Sequence, residues 1–191
     1  MTHFFFRLPF GLSAQGPRGF ALSLTGITAL ALLLSACSPA LNWRLVRTEA
    51  ASLTFLLPCK PDRASKVVPL GGQASTLSMV GCEADGAMFA LAVADTAVPA
   101  QAAELLTQWQ SLTLTHMRAS AHTQSPFLVT GASSPPSPVR VQAQGQQADG
   151  RAVQSQAVYF ARGSQLFQAV IYAPKVSAEM ADTFFGGIKL E

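Results

Sequence analysis

Histidines, acidic residues and catalytic signatures are what this chain has least of. Its 191 residues include only three histidines and ten acids. His116 and His122 are too far apart for the i,i+4 ligand pair of a metal-binding helix, no Asp or Glu falls between them, and both are expected at a helix end or on the surface. Glu83 and Asp85 flank Ala84 in a turn-like segment, but two carboxylates do not complete a Ca²⁺ site, so a solvated turn is expected. Serines are plentiful, yet no GxSxG elbow surrounds Ser111, Ser120, Ser125 or Ser133, and no SxxK arrangement activates a hydroxyl. Gly71-Gly72 has neither the GK[ST] of a phosphate loop nor the GxGxxG of a dinucleotide turn. These absences point away from an enzyme, and no metal or cofactor is expected.

Acids are missing altogether from residues 1–19, which contain His3, Arg7 and Arg18. They precede FALSLTGITALALLLSAC, uncharged from Phe20 to Leu34. A basic start, a short apolar run and small residues before a boundary describe an export signal. At about 15 residues the run is short of the roughly 20 that span a bilayer as a helix.

Leu34, Ser35, Ala36 and Cys37 resemble the cleavage box of bacterial lipoproteins: a large residue, two small ones and a cysteine. The resemblance implies a signal peptide over 1–36, a diacylglycerol thioether on Cys37, cleavage before it and acylation of the new amino terminus. Several acyl chains make such an anchor stable where one alone is marginal. Ser38 resembles the outer-membrane sorting signal, so the implied location is the outer membrane of a Gram-negative cell, facing the periplasm. The long segment ahead of the apolar run departs from the pattern, and a true start downstream of Met1 accounts for it. The plainer alternative is an ordinary signal in which Cys37 is incidental.

Removing residues 1–36 leaves about one domain's worth of chain. The formal charge of +3 falls to about +1 with Arg7 and Arg18 removed, which gives no electrostatic footprint for nucleic acid. Arg44, Arg47, Lys60, Arg63 and Lys66 form a mild basic region, expected as solvated charge. In an oxidising compartment, Cys59 and Cys82 make a disulfide pair. They sit in LLPCKPD and MVGCEAD at strand ends. Zinc binding lacks a second ligand pair, and the spacing is not a CxxC.

Along the mature chain, residues 37–50 read as the lipidated N-terminus and tether, merging into a first element around Trp43 to Val46. A single domain is expected over 51–191. Ala51 to Pro58 reads as a strand. Gly71-Gly72 and Ala84-Asp85-Gly86 are turns between further strands, the DG pair being a hairpin signal. Ala102, Leu105, Leu106, Trp109 and Leu112 recur at helical spacing and predict a helix over about 100–119, with Pro99 suited to its first turn. Phe127-Leu128-Val129 suggests a short strand, and Gly131 to Pro138 is a compositional loop, a candidate binding rim. Strands follow over 139–144, 151–161 and 165–173, with alternating glutamines marking a solvated face. Val176, Met180 and Phe184 predict a terminal helix capped by Ser177, and Ile188 with Leu190 a last edge strand. Antiparallel strands with two helices make the fold class α+β.

The order of elements resembles the PsbP/Mog1 scaffold. The pieces that carry the resemblance are FLLPCKPD, GCEADGAMFALAVAD, the central helix, GRAVQSQAVYFARGSQLFQAVIYAP and ADTFFGGIKL, across about residues 51–190. It implies an antiparallel β-sheet flanked by helices. The chain has no clear acidic calcium cluster and no recognisable Ran-binding face, so no family activity transfers.

The expected function is a non-catalytic envelope lipoprotein, an accessory or protein-binding domain joined to the bilayer through acylated Cys37, with an envelope protein as partner. The alternative is a periplasmic carrier or sensor of a small apolar ligand. That reading makes Trp109, Phe127, Tyr159 and Phe160 a candidate cleft between helix and sheet. It requires a sizeable apolar cavity.

Overall fold

Two tight turns set the register of the first half of the fold. Gly71 and Gly72, with φ of +59° and +79°, join β3 (Asp62–Leu70) to β4 (Gln73–Ala84). Asp85 and Gly86, at +51° and +69°, join β4 to β5 (Ala87–Asp95). Positive φ at both central residues is the two-residue hairpin geometry that matches strand twist. The pairings Leu70 with Gln73 and Ala84 with Ala87 close both hairpins without a bulge.

The computed structural model describes residues 40–191, so the signal segment and Cys37 lie outside the described residues. Before β3 come β1 (Arg44–Arg47) and β2 (Leu53–Leu57). After β5, a 3₁₀ turn at Pro99–Gln101 leads into α1 (Ala102–His116), followed by β6 (Ala121–Pro126), β7 (Val139–Gln146), β8 (Ala152–Arg162) and β9 (Gln165–Ala173). The chain ends with α2 (Ala178–Gly186) and β10 (Lys189–Leu190).

The strands form two antiparallel sheets. The larger has seven strands in the order β3-β4-β5-β9-β8-β7-β6, and the smaller has three, β1-β2-β10. Part of the stretch expected as a tether is therefore inside the fold: β1 pairs along its length with β2, and Val46 is buried. The fold is α+β, antiparallel sheets flanked by two helices, as the pattern of elements implied.

Alternation along β5, β8 and β9 supplies both faces of the large sheet with apolar side chains. On one face Phe89, Leu91, Phe167 and Ile171 meet the small sheet and α2. On the other, Tyr159, Leu166 and Val170 meet Ala102, Leu105 and Leu106 of α1. Burial on both faces explains why β5 and β9 read as nearly continuous apolar runs. Phe184 of α2 joins the layers, edge-on to Phe89 at 5.5 Å and to Phe55 of β2 at 6.4 Å. Ser177 caps α2 as expected, its hydroxyl accepting a bond from the Met180 amide at 3.2 Å, which satisfies one of the free amides of the first turn.

Three local expectations need correction. The strand expected at Phe127–Val129 is instead β6, Ala121–Pro126, which is exposed throughout. It has no apolar alternation because neither of its faces is covered. Phe127 and Val129 still turn toward the core from irregular backbone, with Val129 buried and Leu128 facing solvent. The helix is shorter than 100–119, since Pro99–Gln101 is 3₁₀ and Arg118, at φ +48°, stops any continuation. Leu112, placed on its apolar stripe, is exposed.

Candidate binding surfaces

Cys59 and Cys82 are bonded to each other, with Cα atoms 5.9 Å apart. The bridge ties the end of β2 to β4, and so the small sheet to the large one.

The four aromatics of the candidate cleft are not brought together. Trp109 and Tyr159 pack in the cluster beneath α1, while Phe160 and Phe127 belong to the opposite face of the large sheet. Phe160 is stacked on Phe167 at 4.7 Å, and Phe127 meets Phe185 at 6.2 Å. Adjacent strand residues such as Tyr159 and Phe160 point to opposite faces, so that alternation was itself the signal against a shared cleft. The solvent-open depressions of about 270 to 740 Å³ are lined by other residues.

Polar groups in the interior are committed to the fold. Gln168, buried in the middle of β9, donates to the Tyr159 hydroxyl at 2.8 Å and to Thr113 Oγ1 of α1 at 3.0 Å. Burial raises the Tyr159 pKa above its ordinary value, against the lowering effect of its side-chain contacts with Thr113 and Gln168. Burial also pushes Tyr172 up to about 12. Both phenols stay neutral at physiological pH. Arg140 lies over the Phe185 ring at 5.2 Å and donates from Nε to Gln156 at 3.2 Å, with Asp182 at 3.8 Å. It helps to seat α2. Among the described residues every buried side-chain nitrogen and oxygen has a partner, and no cluster of three metal-ligating side chains occurs. His116 ends α1, whereas His122 lies in β6.

The two edges of the large sheet are what remain, and they differ in kind. β3 carries Asp62, Arg63 and Lys66, charges that discourage strand addition. β6, AHTQSP, has no Asp, Glu, Lys or Arg. The bond from the Phe127 amide to the Pro138 carbonyl, 3.0 Å, fixes the phase of its ladder with β7. Main-chain groups of Ala121, Thr123 and Ser125 then face β7, and those of His122 and Gln124 face outward. Beside this edge, Thr123, Gln142, Gln144, Gln154 and Gln156 line an open polar depression of about 310 Å³. The polarity that hid β6 as a strand is thus its distinguishing property as a surface.

No protein-family model and no curated protein matches the chain. Among solved structures it is similar to PA94 from Pseudomonas aeruginosa, a protein of unknown function, with 14% identity and a TM-score of 0.32 over 69% of this chain and 82% of that one. No helix among the described residues is long and apolar enough to cross a membrane.

Proposed function

We propose that the chain is a non-catalytic envelope lipoprotein, acylated at Cys37, that holds an accessory domain at the periplasmic face of the outer membrane. The observation that carries this reading is Leu34-Ser35-Ala36-Cys37 closing an uncharged run behind a basic start. The Cys59–Cys82 bond supports it, because such bonds persist in oxidising compartments. The scaffold is a PsbP/Mog1-like one, a reading supported by the order of its hairpins and helices. Intact mass and membrane fractionation in the native host, beside Cys37→Ala, test the anchor. The parent is expected to carry a lipid-sized mass increment and to sediment with outer membranes, and the variant to lose both. An unlipidated, soluble parent overturns the reading.

The domain's role is to take up an extended segment of another envelope protein as an added strand on β6. Support comes from the uncharged edge and from the outward main-chain groups of His122 and Gln124, the arrangement used in strand addition. A photo-crosslinking residue at Thr123 is expected to give an adduct in intact envelopes, and the same residue at Val67 on β3 to give none. Gln124→Pro removes one outward amide and leaves the ladder to β7 intact, as edge strands permit. It is expected to abolish the adduct. Equal adducts at both edges, or indifference to the proline, would refute strand addition.

A further inference from the structure

The outer face of the small sheet, turned away from the core, carries two rows of unlike chemistry. Across the first row, Leu45 of β1 pairs with Leu56 of β2. Gly187 lies against Leu56 so closely that a Cβ there would come within 2.9 Å of its Cγ. Across the second, Arg47 pairs with Thr54, Thr54 with Lys189, and Lys189 with Thr130 through an isolated bridge. Leu128, two residues before Thr130, projects outward while Phe127 and Val129 turn in. Leu45 is 71% exposed and Leu128 86%, the two most exposed large apolar side chains among the described residues. Arg47 meets Glu191 at 2.9 Å, both exposed. With Arg47 offset by Glu191, the exposed Lys189 leaves the face net cationic.

The chain leading to this face is short. Leu41 and Trp43 pack against the core, and the Asn42 amide donates to the Pro58 carbonyl at 2.8 Å. Only Ser38, Pro39 and Ala40 separate Leu41 from Cys37, a reach of about 14 Å when fully extended. That reach ends at β1, an edge of this same sheet.

We infer that the outer face of the small sheet docks on the anionic phospholipid surface of the leaflet that holds Cys37. Leu45 and Leu128 enter the headgroup layer, and Arg47 and Lys189 lie at the level of the phosphates. Apolar tips beside basic residues are the composition that binds such a surface, and the short tether brings this face to it. The inference rests on lipidation at Cys37.

The test uses the lipidated full chain in vesicles of phosphatidylethanolamine and phosphatidylglycerol. A polarity-sensitive dye is placed on Leu128→Cys or, as control, on Leu112→Cys of α1, across the large sheet; with Cys37 in its lipid thioether and Cys59 bonded to Cys82, no competing thiol remains. Acyl-chain-brominated lipid is expected to quench the dye at 128 several-fold more than at 112, and Leu45→Asp to reduce that difference. Equal quenching at the two positions in lipidated protein would overturn the docking face and leave the anchor standing. A sample whose intact mass lacks the lipid increment would overturn the anchor, and the docking face with it.

Discussion

Phe184→Ala is expected to lower the unfolding free energy by about 3–5 kcal/mol, the usual loss for truncating a fully buried phenylalanine. Phe184 has no solvent exposure, and its ring meets Phe89 of the large sheet, Phe55 of the small sheet and Phe185 of its own helix at 5.5, 6.4 and 5.1 Å. Truncation therefore opens a cavity where three elements converge. Each is held by a ladder or helix of its own, so none can collapse to fill the gap. Phe184→Leu keeps most of the volume and is expected to cost under about 1.5 kcal/mol. Urea titration decides the matter: the midpoint should fall with an unchanged slope. A loss for Phe184→Ala no larger than that for Phe184→Leu would mean that the junction repacks freely and that α2 is not the link between the sheets.

Replacing both Cys59 and Cys82 by alanine is expected to cost about 3 kcal/mol, from the entropy of closing a loop of this size; the two residues are 23 apart in sequence. β3 lies wholly inside that loop. It is an edge strand, exposed over most of its length and paired only with β4. Removing the bridge should therefore loosen β3 before the rest. In hydrogen exchange, β3 amides are expected to lose protection first, while those of β9, central and buried on both faces, keep theirs. Uniform loss across both strands would show that the bridge stabilises the domain as a whole and does not pin the edge.

Much of the fold was legible wherever a local rule decided it. The Asp85-Gly86 and Gly71-Gly72 turns demand positive φ at consecutive positions, and Ser177 with Met180 and Phe184 writes a cap and a buried stripe within a few residues. Two features were hidden for opposite reasons. β6 has no covered face, so its pairing with β7 leaves no hydrophobic period in the sequence. The small sheet depends on Thr54 meeting Lys189, and no local pattern links positions so distant. The candidate cleft failed because it grouped aromatics by type. Pleating sends Tyr159 and Phe160 to different layers, whereas the disulfide pair was read from the expected compartment and from strand ends and was legible. β6, the proposed binding edge, could have been suspected only from the contrast between its uncharged residues and the charges of β3.

The Gln168 side chain has a consequence for α1. That helix buries only Ala102, Leu105 and Leu106, a small apolar contact that by itself would tolerate several placements along the sheet. Its buried polar fixed point is the amide of Gln168, shared between Tyr159 and Thr113, beside an exposed bond from Gln110 to Gln124 of β6. Sliding the helix by a turn would carry Thr113 away and leave that donor short of an acceptor in a dry interior, at about 1–3 kcal/mol. A weakly adhesive helix is thus held in register by polar contacts, and the buried one adds little to the total stability but separates the native placement from its neighbours.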